Sequence, residues 1–139
     1  MRKLLLIWSI ILCSLSVCAQ NDSTFCAYLY NNEYDIYLKI NFYEENIQVP
    51  GQELYGPLPG YLGKKHNSFC WVITSAQVKG KTASLALIND YGSEDLTATL
   101  IRKDESTYIL RQESGSTLKV PKNGKWQKIP KIIELKRQK

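Results

Sequence analysis

His66 is the only histidine in the 139-residue chain, and Ser68 follows two positions later. A histidine beside a serine hydroxyl is the minimum of a base–nucleophile pair. The surrounding Lys64-Lys65-His66-Asn67-Ser68, however, lacks the strand–turn–helix context in which a nucleophile elbow holds its serine. Glu44 and Glu45 are adjacent, so in an extended segment they point to opposite faces and do not flank one glycosidic bond. The run Asn89-Asp90-Tyr91-Gly92-Ser93-Glu94-Asp95 is rich in oxygen ligands. Asp90, Glu94 and Asp95 suit calcium chemically, but their spacing is not that of an EF-hand loop and reads as an ordinary turn. No zinc spacing and no phosphate-cradling glycine loop is present. No catalytic residue, metal or cofactor is therefore expected, and the chain is read as non-enzymatic.

The residue types that stand out are those that make contacts. Tyrosine occurs nine times, at 28, 30, 34, 37, 43, 55, 61, 91 and 108. Tyr37 and Tyr43 fall on the face opposite the apolar Ile36–Leu38–Ile40 set, where they form an aromatic patch or line a cavity, or serve as ordinary strand formers. The segment Pro50–Gly63, PGQELYGPLPGYLG, holds four glycines and three prolines in fourteen residues. Such a stretch does not suit an interior strand. It is expected to be a long loop, with at most a short bent edge strand, that presents Tyr55, Leu58 and Tyr61 or folds them back over one end of the fold. Residues 119–139 carry eight Lys or Arg against Glu134 alone, whereas residues 20–118 carry eight against twelve Asp or Glu. Lys119, Lys122, Lys125, Lys128 and Lys131 recur at every third position, a period that aligns charges in a polyproline-like segment. With Trp126 among them, Lys125 and Lys128 are candidates for an anionic partner; a lysine-protected edge strand explains the same residues.

These residues must be positioned by an exported domain. Arg2 and Lys3 precede an apolar run, and the run ends in Val17-Cys18-Ala19, which fits a signal peptide of residues 1–19 cut after Ala19. The run is too short to span a bilayer, which takes about 20 residues. Cys18 also raises lipid anchoring, against which Val17 stands, since a small residue is wanted there. The domain of residues 20–139 keeps two cysteines, Cys26 and Cys70, and in an oxidising compartment these are expected to form one disulfide, worth roughly 4 kcal/mol by loop entropy.

Alternation with period two dominates the rest. Tyr34, Ile36, Leu38, Ile40 and Phe42 share one face, and Leu96, Ala98 and Leu100 repeat the pattern. Turn residues intervene at Asn31–Glu33, Lys79–Lys81, Asp90–Glu94, Lys103–Ser106 and Ser114–Ser116. Strands are expected at 24–30, 34–43, 46–49, 69–78, 82–89, 95–103, 107–113, 117–120 and 131–137. The fold class is all-β: a small antiparallel β-barrel or tight β-sandwich of about eight strands. The expected function is non-enzymatic binding of a protein or an envelope glycan or lipid, in the periplasm or outside a bacterial cell. Nucleic acid is not an expected partner. A lipocalin-like small-ligand barrel and a small secreted hydrolase are the alternatives.

Overall fold

The structure is a computed structural model and describes residues 23–138; the expected signal segment 1–19, with Cys18, lies outside the described residues. Ten strands follow in order: β1 (Cys26–Asn31), β2 (Ile36–Asn41), β3 (Gly60–Lys64), β4 (Asn67–Lys79), β5 (Thr82–Asn89), β6 (Asp95–Arg102), β7 (Thr107–Gly115), β8 (Lys119–Lys122), β9 (Lys125–Lys128) and β10 (Ile132–Arg137). Eight of them close an antiparallel barrel in the order β1-β10-β7-β6-β5-β4-β3-β2, and β8 and β9 form a separate hairpin. The barrel settles the choice between barrel and sandwich.

Period-two patterning puts the expected residues inside. Ile36, Leu38 and Ile40 of β2 are buried while Lys39 between them is exposed. Leu85 and Leu87 of β5 and Leu96, Ala98 and Leu100 of β6 join them around Trp71 and Tyr108. The interior is thus filled by interdigitated side chains, as in small barrels whose lumen is a core. At the end where the chain termini meet, Tyr108 Oη donates to the Thr24 carbonyl, and Arg137 binds Tyr108 Oη at 3.0 Å and the Ser23 and Cys26 carbonyls at 3.1 Å. These bonds hold the barrel closed beside the short β1–β10 seam, which pairs only Leu29 with Arg137 and Tyr30 with Lys136.

Three expectations are corrected. First, Cys26 and Cys70 are free thiols. Cys26 pairs with Asn41 at the start of β1, whereas Cys70 lies in β4 opposite Gly63, in line with Tyr37 and Tyr30. At ordinary strand spacing and rise they are about 14 Å apart across the sheet and about 13 Å along it. A disulfide needs Cα atoms within about 7 Å. Second, the end of the Pro50–Gly63 segment is a barrel strand, β3, between β2 and β4. The prolines precede it and so cost the ladder nothing. Its glycines permit close approach: a Cβ on Gly63 would lie 2.4 Å from the Tyr37 ring, and one on Gly60 2.3 Å from the Lys39 carbonyl. Third, residues 46–49 contribute only the single bridge Ile47–Leu58, and the basic segment is a hairpin rather than an extended polyproline run.

Candidate binding site at the plugged end

The up-and-down order puts the β3–β4 turn, the β5–β6 turn and the β8–β9 hairpin at the barrel end opposite the chain termini. The hairpin turns at Asn123 and Gly124, whose φ values of 54° and 76° suit a type I′ turn. Leu118, Val120 and Ile129 enter the barrel core and plug this end. Two buried side chains latch the plug. Trp71 Nε1 donates to the Lys119 carbonyl at 2.9 Å. Gln112 accepts the Leu118 N–H at 2.7 Å and donates to the Ile129 and Pro130 carbonyls at 3.2 and 3.1 Å.

Folding the lysine repeat into a hairpin sets like charges opposite one another. Lys119 pairs with Lys128, and Lys122 with Lys125. Like charges directly opposite destabilise a strand pair. Lys119 is relieved by Glu94 at 3.1 Å; Lys122, Lys125 and Lys128 are exposed.

The hairpin also brings Trp126 against β4. Its ring meets Phe69 edge-on at 4.9 Å, and Tyr91 meets the same Phe69 at 6.1 Å. Phe69 is buried, whereas Trp126 is 51% exposed and Tyr91 73%. The turn that carries Tyr91 is fixed by Asn89, whose Oδ1 accepts the Ser93 and Glu94 N–H groups. Asn67, Ser68, Asp90 and Lys125 complete a surface notch of about 290 Å³ around these rings. Asp90 Oδ1 is buried without a hydrogen-bond partner among the described residues. Burial raises the Asp90 pKa, partly offset by hydrogen bonds from the Cys70 and Asp90 backbone N–H groups.

The Gly/Pro-rich loop reaches the same end. Val49, with Ile47 and Leu58 half-buried beside it, covers Tyr61, Cys70 and Val72 on the outer wall of β3 and β4. Gln52 Nε2 then bonds the Asp90 carbonyl at 3.3 Å. This ties a 3-10 turn, Glu53–Tyr55, next to the β5–β6 turn. Leu54 is wholly exposed and Tyr55 is 48% exposed.

Of the residues singled out in the sequence, Tyr55, Lys125, Trp126 and Lys128 thus converge on the plugged end. Leu58 and Tyr61 face the wall instead. Tyr37 is half-buried, stacks on Tyr28 at 5.3 Å and meets Tyr61 edge-on at 5.8 Å. Tyr43 lies at the terminal end, where its hydroxyl accepts the Phe25 N–H at 3.1 Å. Burial, then a hydrogen bond with Tyr37, pushes the Tyr61 phenol far above its ordinary range. Burial, then the Asp90 charge, pushes the Cys70 thiol up to about 11, so it stays protonated and inert at neutral pH. The sequence pattern does not point to Leu54 or Phe69, and it places Tyr91 only in a turn. The Asn123-Gly124 dipeptide was the signal that would have folded Trp126 back toward them.

His66 is exposed in the β3–β4 turn. Among the described residues, no three or more His, Cys, Asp or Glu side chains are grouped to hold a metal ion, and no helix is long and apolar enough to cross a membrane. No protein-family model matches the chain, and no curated protein or solved structure is significantly similar to it. The site must be read from its own geometry.

Proposed function

We propose that this chain is an exported, non-enzymatic binding protein of the bacterial envelope or extracellular space, and that it holds an anionic partner at the plugged end of its barrel. The observation that carries the reading is the convergence there of Leu54, Tyr55, Tyr91 and Trp126, all exposed, with the paired lysines of the hairpin. Aromatic residues are enriched in contact surfaces, and their rigid supports here keep the entropy cost of binding low. The lysine pairs oppose folding of the hairpin, and local rules of this kind are broken mainly where function requires it. The filled interior favours surface binding over a lipocalin-like carrier, which holds its ligand inside the barrel. Export rests on the basic-apolar-small order of residues 1–19.

The test uses the domain from Gln20 onward, immobilised and exposed to envelope extract, beside a Lys122→Glu/Lys125→Glu variant. The expected result is capture of an anionic component that salt elutes and the variant fails to retain. No capture, or equal capture by the variant, refutes the reading. The intact mass of the exported protein, expected to begin at Gln20, tests the leader separately.

A further inference from the structure

The notch formed by Phe69, Tyr91 and Trp126 is built for a ring with two kinds of face. Trp126 and Tyr91 both pack against the buried Phe69 and present aromatic surface. Around them stand polar groups of both senses: Lys125 donates, and Asn67 and Ser68 both donate and accept. The notch, at about 290 Å³, has room for one or two six-membered rings.

A pyranose fits this chemistry. Its C–H face packs on an aromatic ring, while each hydroxyl donates and accepts at once. Charge narrows the class. Lys125 lines the notch at the hairpin turn, and Lys128 shares the Trp126 face of the hairpin; Lys122 stands on the opposite face, and Lys119 is engaged by Glu94. A cationic ligand would meet the Lys125 and Lys128 ammonium groups, and a neutral sugar would leave them uncompensated. An acidic peptide would neutralise the lysines but offers no flat C–H face to the two exposed rings.

Resting on the proposed anionic-partner reading, we infer that the plugged end binds a carboxylate-bearing polysaccharide, with one pyranose stacked on Trp126 and Tyr91 and neighbouring carboxylates on Lys125 and Lys128.

The domain from Gln20 onward keeps two tryptophans, Trp71 and Trp126, and Trp71 is fully buried, so changes in intrinsic fluorescence report chiefly on the notch. Titration with galacturonate oligosaccharides is expected to change that fluorescence saturably. Calorimetry is expected to show affinity at least about tenfold weaker in Trp126→Ala and in Tyr91→Ala, both exposed positions at which the fold is retained. Lys125→Gln/Lys128→Gln should lower the salt dependence of binding. Poly-L-glutamate binding as tightly, and indifferent to Trp126→Ala, would overturn the sugar while leaving the anionic-partner reading standing. Binding of neither polymer would overturn both. Dextran of matched length binding as tightly as galacturonate would also overturn the inference, because the lysines would then have no part. Cosedimentation with insoluble wall glycan, set against the soluble oligosaccharides, separates an anchored source from a free one, and either satisfies the inference.

Discussion

Gln112→Leu tests whether the plug is held by the latch described above. Gln112 is buried in β7, and its side chain makes three hydrogen bonds that bracket the hairpin: one to Leu118 before β8, and two to Ile129 and Pro130 after β9. Leucine is close in size but bonds none of them. A buried hydrogen bond contributes about 1 kcal/mol net, and a backbone group left unpaired costs somewhat more, so the expected loss is about 3–5 kcal/mol. At an unfolding entropy of about 2.1 cal/mol/K per residue, this lowers the midpoint by about 12–20 °C. Calorimetry and urea unfolding measure the loss. Hydrogen exchange locates it: amides of β8 and β9 should lose more protection than those of β5 and β6. Gln112→Glu is the sharper companion. It keeps an acceptor for the Leu118 N–H but sets a carboxylate against two carbonyl oxygens, which raises its folded-state pKa. Its stability is therefore expected to be lowest at neutral pH and to recover as the pH falls through that pKa. A loss below about 1 kcal/mol for Gln112→Leu, with hairpin amides still protected to the global limit, would refute the latch.

Three further outcomes follow from the same geometry. In the native protein one thiol, Cys26, should react quickly with a thiol reagent at pH 8, and Cys70 only after unfolding; a native protein with no titratable thiol would show that the cysteines are bridged. Gly63→Ala places a Cβ 2.4 Å from the Tyr37 ring and should cost about 1–3 kcal/mol in urea unfolding, part of it recovered by adding Tyr37→Ala; no cost would mean that the aromatic row yields freely. Asp90 has a folded-state pKa raised mainly by burial, so ionising it reduces stability as pH rises through that value. Asp90→Asn should therefore be more stable than the parent at neutral pH, with the difference gone below the ordinary aspartate range; a difference independent of pH would refute the burial argument.

The barrel walls were legible because period-two alternation is a local property. Ile36, Leu38 and Ile40 in β2 and Leu96, Ala98 and Leu100 in β6 announce their inner face without reference to any partner strand, and the structure buries them. Strand β3 was hidden for the opposite reason. Its glycines are explained by what lies across the sheet, the Tyr37 ring over Gly63 and the Lys39 carbonyl against Gly60. From the sequence alone those glycines read as turn residues. The disulfide expectation failed likewise: cysteine number and compartment carry no register, and register places Cys26 and Cys70 two intervening strands apart.

The candidate site was legible in parts but not as a whole, and the hairpin shows why. A lysine at every third position predicts one charged stripe only while the chain runs on in a single direction. Asn123 and Gly124, both at positive φ, reverse it, and the stripe becomes two facing pairs with Trp126 carried back over Phe69. The Gly/Pro-rich loop behaves similarly. It leaves the barrel at the terminal end after Asn41, climbs the outer wall on Ile47, Val49 and Leu58, and is tied at Gln52 to the Asp90 carbonyl. Leu58 and Tyr61 are then committed to the wall, which leaves the turn at Leu54 and Tyr55 exposed at the same end as Tyr91. Two segments far apart in sequence, each with an ordinary structural explanation of its own, thus meet at one end of a filled barrel. Their shared position is the argument for function, because packing alone asks neither for an exposed Leu54 nor for lysines set face to face.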